Sequence, residues 1–370
     1  MESSPPDNVG SVLVVGGCGF VGFHIVHHFL LEPTFSSVSV ISRNPKSNRL
    51  PNVSYYAGDI SDPTSLRALI LQIRPSIIIH AASPSAVSAS KRDYETVTIG
   101  GTRNLLMIAS ECSSVKAFIF TSSATMAAGS EHIHLEESTA LADTSPSSHP
   151  YAKTKARADK MVLEANRPSG GDGSGLCTAC IRLPIVYGER DLVAVPGALA
   201  ALEKGQAHFQ VGDGSNLWDF ASVDNAATAH VLLAKALLIQ RPAAAKVDGE
   251  AFNITDGERH LFWDFPRAIW KAAGHEVKVE EVWVLPTWLA LTIAGIAEWL
   301  FWVCTFGRKR PSRLGVQQVE YSCFTHTYCI EKAKERLGYR PVPDFDGGIR
   351  KAVAWSLEQN GWSSRLNKDK

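Results

Sequence analysis

The 370 residues carry 37 basic and 37 acidic side chains, with 45% hydrophobic and 20% charged residues. That balance supplies ample material for a core and excludes a wholly disordered chain. A formal net charge of zero gives no global attraction to nucleic acid or to an anionic surface.

Residues 1–10, MESSPPDNVG, lack a basic start and an apolar core. They predict a disordered lead rather than a signal peptide. Alternating strands and helices follow. SVLVVGG (11–17) predicts a strand, GFVGFHIVHHFLLE (19–32) a helix and VSVIS (38–42) a strand. SLRALILQIRP (65–75) predicts a helix, SIIIHAAS (76–83) a strand and GTRNLLMIASEC (101–112) a helix. VKAFIFTSSA (115–124) predicts a strand, YAKTKARADKMVLEAN (151–166) a helix and LCTACIRLPIVYG (176–188) a strand. The strands are continuous apolar runs, as a parallel sheet covered on both faces requires. The order implies an α/β fold, a Rossmann-type doubly wound parallel sheet with a smaller C-terminal substrate lobe.

The dinucleotide-binding domain is expected over residues 11–187, with returning segments at about 216–256. AFNIT (251–255) is the candidate for a strand that rejoins the sheet. The substrate lobe is expected over 188–215 and 257–370. RPSGGDGSG (167–175) reads as a flexible surface insertion.

Seven scattered cysteines form no disulfide framework and favour a reducing compartment. Cys177 and Cys180 form a C-x-x-C inside a strand-like run, with no second pair to complete a zinc site. The twelve histidines show no metal spacing, so no metal site is expected, and His27 and His28 read as packing or solvent residues.

The segment 282–306, VWVLPTWLALTIAGIAEWLFWVCTF, holds one charge, Glu298, and four tryptophans. It precedes GRKRPSR. Its length suits a bilayer, and its tryptophans suit an interface, whereas Pro286 and Glu298 weaken a spanning helix. It reads as a monotopic or hairpin membrane anchor or as buried helices of the small lobe.

Gly16, Gly19 and Gly22 are spaced G-x-x-G-x-x-G between a strand and a helix. Glycine there lets backbone approach a pyrophosphate, and the helix start offers free N–H groups. Gly16, Gly19, Phe20, Val21 and Gly22 are therefore candidate cofactor residues. Where NAD sites place an acid after the second strand, this chain has Ser42 and Arg43. A hydroxyl followed by a guanidinium suits a 2′-phosphate, so NADP is preferred over NAD. The opposing reading makes Arg43 a solvated loop residue. Asp59 and Ile60 are candidates beside the adenine, and Ala81 and Ala82 are small enough for backbone to lie against the cofactor.

Tyr151 and Lys155 are four apart after Pro150, on one face of a predicted helix. An ammonium beside a phenol lowers its pKa and fits it for proton transfer to or from an alcohol. Ser122 and Ser123 end a strand where parallel sheets place ligands.

With these motifs in hand, the chain resembles an extended short-chain dehydrogenase/reductase. It is most similar to the 3β-hydroxysteroid dehydrogenase group and, within it, to the sterol-4α-carboxylate 3-dehydrogenases (decarboxylating). The resemblance rests on VVGGCGFVGFHIV, GDISDP, HAASP, GTRNLL, TSSA, YAKTKARAD, IRLPIVYGERD, FQVGDGSNLWDF, VDNAATAHV, FNITDGE and AKERLGYRP, and covers nearly the whole chain. It implies Tyr151 as proton donor and acceptor, Lys155 as its electrostatic partner and ribose ligand, and Ser123, with Ser122 as runner-up, as holder of the substrate oxygen. It also implies Pro184 beside the nicotinamide.

Two departures stand out. Ser42 replaces an acid, and Thr98 stands where many members carry asparagine. The implied activity is oxidoreduction at the 3-hydroxy or 3-keto group of a sterol, triterpenoid or similar lipid, with or without loss of a 4-carboxylate. A ketone reductase and a nucleotide-sugar epimerase or dehydratase are the alternatives, with a non-catalytic cofactor sensor as a third class. The resemblance further implies an endoplasmic reticulum membrane location with the catalytic part facing the cytosol. No nucleic-acid partner is expected, and a homodimer stays open.

Overall fold

The computed structural model describes residues 9–143, 148–168, 175–239, 245–305 and 315–366. Most of the expected N-terminal lead, the glycine-serine stretch 169–174 and the basic run after 306 lie outside the described residues.

Seven parallel strands form the main sheet, in the order Glu250–Asn253, Cys177–Leu183, Ala117–Ser123, Ile77–His80, Gly10–Val15, Phe35–Ser42, Val53–Ala57. The central strands are mostly apolar because each face of the sheet has its own core, whereas the edge strand Val53–Ala57 is partly exposed. In a strand successive side chains point to opposite faces. Accordingly Val12, Val14, Ile77, Ile79, Ala117 and Ile119 join one cluster. Leu13, Val15, Ile78, Phe118 and Phe120 join the other. The first face is covered by Phe20–Leu31, Val223–Leu238 and Glu331–Leu337. The second is covered by Pro63–Ile73, Thr102–Glu111 and Pro150–Glu164. The AFNIT segment supplies Glu250–Asn253, paired in parallel with Cys177–Leu183.

From Gly10–Val15 the chain builds the sheet outward in one direction and then returns to build it in the other. The strand order reverses between Gly10–Val15 and Ile77–His80, and ligands bind at the carboxyl ends of strands at such a point.

A second sheet joins Arg259–Leu261, Leu217–Ser222, His326–Tyr328 and His132–Leu135, with Ile185–Tyr187 beside Leu217–Ser222. Two of its members differ from a simple division of the chain. His132–Leu135 comes from within the first half, and Leu217–Ser222 pairs here rather than in the main sheet. An aromatic core with Trp218, Phe220, Phe265 and Trp270 fills this lobe.

The helix Thr287–Cys304 lies on the small lobe and buries only Ala290 and Ala294. Those small residues pack near Val319 of the helix Val316–Cys323. Trp288, Trp299 and Trp302 are each at least 60% exposed, so the buried-helix reading does not describe this element. Its one charge, Glu298, accepts a hydrogen bond from Val316 N at 3.0 Å. The acid is spent on a backbone donor at the start of the next helix, where anionic side chains are favoured.

Candidate active site

The glycine turn folds as its spacing demands. Gly16 has φ +88°, and a Cβ there would sit 2.7 Å from the backbone of Ala82. A Cβ on Gly22 would meet Gly16 O at 2.2 Å. Gly19 caps the helix Phe20–Leu31 without any side-chain bond, and its N–H donates to Gly16 O at 3.0 Å. Backbone is thus exposed at the start of a helix that opens on the strand-order reversal. A dinucleotide's pyrophosphate fits such a cradle.

Around it stand the other candidates. Ala81 N donates to Val15 O at 2.9 Å, which places the two alanines beside the turn. Phe20 and Val21 open the helix. Ser42 ends its strand and is hydrogen-bonded to the Cys18 thiol, whose pKa burial nonetheless pushes up. Arg43 is exposed and acts electrostatically on Asp59. Asp59 Oδ1 accepts from Ser61 N at 2.8 Å and Ser61 Oγ at 2.6 Å; these bonds first, then Arg43, hold its carboxyl below the usual range. Ile60 turns its side chain into the core against Gly101 and offers its carbonyl to Asn104 Nδ2 at 2.9 Å. Arg49, which the sequence reading did not single out, lies over the Tyr55 ring at 4.7 Å and is a second cation near Cys18.

The reacting end lies at the carboxyl end of Ala117–Ser123. Tyr151 stands in the first turn of Pro150–Glu164, where His149 Nδ1 accepts from Tyr151 N at 3.2 Å. The Ser123 side chain acts on its phenol, pulling its pKa down. Ser123 Oγ also lies 2.8 Å from Thr125 Oγ1 and donates to Leu183 O at 3.4 Å, next to the buried Pro184. Ser122 instead points to Met126 Sδ at 3.5 Å, so Ser123 is the serine that meets the phenol. Tyr94 packs edge-on against Tyr151 with ring centroids 5.8 Å apart.

Lys155 differs from the sequence expectation. Its Nζ donates to Thr121 O at 2.8 Å and lies 4.5 Å from the centre of the Phe120 ring. Burial pushes its pKa down to about 8, opposed by the Asp159 carboxylate. The phenol is pushed up to about 12 by burial, with Ser123 pulling the other way. Desolvation is the largest influence on the phenol. The same cation, together with burial, holds His80 down to about 3. Thr98 lies in a π-helical segment, Tyr94–Gly101. Its hydroxyl and His80 Nδ1 are buried, with no hydrogen-bond partner.

Asp159 was also missed, although it extends the Tyr151–Lys155 spacing by one more turn. Its two oxygens accept from Arg182 Nε at 3.2 Å and Nη2 at 2.7 Å, and both side chains are buried. Arg182 Nη1 donates to Glu137 O at 2.8 Å. Among the described residues no three His, Cys, Asp or Glu side chains could hold a metal. All seven cysteines are free, with Cys177 and Cys180 buried in their strand.

Removing one partner of a buried ion pair strands the other without water. Asp159→Asn is expected to destabilise the fold by about 3–5 kcal/mol, read as a lower midpoint in urea unfolding. An unchanged midpoint would show that the pair carries no structural weight.

The geometry has counterparts among known proteins. Residues 13–287 match the model of the 3-beta hydroxysteroid dehydrogenase/isomerase family. The chain is 35% identical to the decarboxylating sterol-4-alpha-carboxylate 3-dehydrogenase of Schizosaccharomyces pombe, over 94% of this chain and 97% of that one. It is 33% identical to the enzyme of the same name from Saccharomyces cerevisiae, over 95% and 99%. The solved structure of DesIV, a dTDP-glucose 4,6-dehydratase from Streptomyces venezuelae with NAD and TYD bound, superposes with a TM-score of 0.69. It shares 22% identity, covers 96% of this chain and 100% of that one, and so shares the fold. The chain belongs to the 3-beta hydroxysteroid dehydrogenase/isomerase family and is an oxidoreductase of the short-chain dehydrogenase/reductase type.

Proposed function

We propose that the protein oxidises the 3-hydroxy group of a sterol, triterpenoid or related polycyclic lipid bearing a 4-carboxylate, with NADP preferred over NAD, and that carbon dioxide is then lost. The observation that carries this reading is the grouping of Tyr151, Ser123 and Lys155 at the carboxyl edge of the sheet, the edge at which the glycine turn also follows its strand. The decarboxylating relatives, similar over almost their full length, supply the substrate class.

A bound nicotinamide supplies the acceptor for the hydride that leaves the C3 carbon. Ser123 holds the reacting oxygen, and Tyr151 takes its proton. Lys155 carries the positive charge that stabilises the phenolate and reaches toward the ribose. In the resulting 3-keto acid the bond from C4 to the carboxyl carbon breaks. Its electron pair passes into an enolate whose oxygen Tyr151 and Ser123 hold, carbon dioxide leaves, and protonation returns the ketone. The NADP preference is supported by Arg43, exposed next to Ser42, and by Arg49, exposed and acting on Cys18, since guanidinium groups suit a 2′-phosphate.

The exposed tryptophans of Thr287–Cys304 and Trp283 support a monotopic seat on the endoplasmic reticulum membrane. An open groove of about 600 Å³, lined by Asp213, Val284, Pro286, Thr287, Trp288 and Leu291, lies at the start of that helix.

The purified protein should convert a 4α-carboxy sterol to a decarboxylated ketone, followed by product mass and nicotinamide absorbance with each cofactor. Arg43→Ala should raise KM for NADP about 10-fold more than for NAD. Turnover of neither that substrate nor a plain 3β-hydroxysteroid, with activity on a nucleotide sugar, would overturn the assignment.

Tyr151→Phe should lower kcat by about 10²- to 10⁴-fold. Because oxidation requires a deprotonated phenol, kcat/KM should rise with pH. Lys155→Met removes the cation that stabilises phenolate, so this rise should move to higher pH. Coincident profiles would contradict the role given to Lys155.

Replacing Trp288, Trp299 and Trp302 together by serine should abolish co-sedimentation with phosphatidylcholine/phosphatidylserine vesicles. Unchanged sedimentation would place membrane contact elsewhere.

A further inference from the structure

A row of polar groups runs from Tyr151 into the small lobe. Ser123 acts on the Tyr151 phenol, and Ser123 Oγ lies 2.8 Å from Thr125 Oγ1. Thr125 acts in turn on the Tyr321 phenol, and Gln317 Nε2 donates to Tyr321 Oη at 3.1 Å. The first three residues belong to the large domain. The last two come from the helix Val316–Cys323, far along the chain. Tyr321 is braced edge-on by Trp218, centroids 5.8 Å apart, and by His326 at 5.4 Å.

Thr125, Gln317 and Tyr321 are each partly exposed, unlike His132, His326 and Tyr328 behind them, which are buried. The row of polar groups therefore keeps access to solvent. The reacting oxygen must lie within hydrogen-bond reach of Tyr151 and Ser123. A group on the neighbouring carbon can then extend along the row to Thr125. The donors it meets there are two hydroxyls and a primary amide, all of them neutral.

Neutrality suits the chemistry. When carbon dioxide leaves, negative charge moves from the carboxylate to the ketone oxygen. A cation gripping the carboxylate would stabilise the starting state, and binding that favours the ground state does not speed the step. Neutral donors can orient the group without holding its charge in place.

We propose that Thr125, Tyr321 and Gln317 form the subsite for the carboxylate next to the reacting alcohol, and that they set the preference for carboxylated substrates. This rests on the sterol-acid reading above. Thr125 and Tyr321 touch the substrate, and Gln317 both positions Tyr321 and adds a donor.

The test compares kcat/KM for a 4α-carboxy sterol with that for the same sterol lacking the carboxylate. In Tyr321→Phe the ratio should fall about 10- to 100-fold, the usual cost of losing a hydrogen bond to a charged group. Gln317→Glu, at a partly exposed position, sets a like charge beside the carboxylate and should lower the ratio further, with recovery at acid pH. An unchanged ratio in both variants, or equal losses on both substrates, would overturn the subsite while leaving the oxidoreductase assignment intact. A wild-type protein with no preference for the carboxylated substrate would overturn the substrate reading itself, and the subsite with it.

Discussion

The Asp159–Arg182 ion pair fixes the helix that carries Tyr151 and Lys155 against the main sheet. Both groups are buried, and the guanidinium meets the carboxylate through two nitrogens. Two parallel bonds fix orientation as well as distance. They lock the helix Pro150–Glu164 in register with the strand Cys177–Leu183. Tyr151, Lys155 and Asp159 recur every four residues, so the clamp at one end of that helix face sets the position of the phenol at the other. The lock extends further: Arg182 also binds Glu137 O, and Glu137 Oε1 accepts from Asn253 N at 2.7 Å. Helix, strand, loop and the returning edge strand are held by one polar network. Such networks are tolerated in a core only when their members are satisfied.

Lys155 sits inside that frame in a pocket of mixed character. Its ammonium finds a carbonyl and an aromatic face. Next to that carbonyl, the Thr121 hydroxyl lies 2.8 Å from His230 Nε2, while His230 Nδ1 lies 2.8 Å from Ala226 O. Burial holds His230 down to about 4, opposed by the bond to Ala226 O. The neighbourhood thus keeps its histidines neutral and leaves the lysine as the local positive charge.

The parts of the site legible in the sequence are those whose meaning is local. The glycine turn, the strand-end serines and the Tyr151–Lys155 pair each lie within a few residues, and their spacing dictates their geometry. Continuous apolar strands likewise announce a sheet covered on both faces. Asp159 could have been found by carrying the four-residue spacing one step further. Tyr321 and Gln317 could not, because no local pattern links them to Ser123; only the docking of Val316–Cys323 does. The same holds for His132–Leu135, whose place in the second sheet depends on pairing with His326–Tyr328. The setting of Lys155 was also hidden, since it follows from how much water the packed core excludes.

Glu298 has a wider bearing. It joins the apolar helix Thr287–Cys304 to the first turn of the helix that carries Gln317 and Tyr321. The packing of Ala290 and Ala294 near Val319 reinforces that link. The exposed tryptophans of one helix and the braced ring of Tyr321 on the other thus belong to a single mechanical unit of the small lobe.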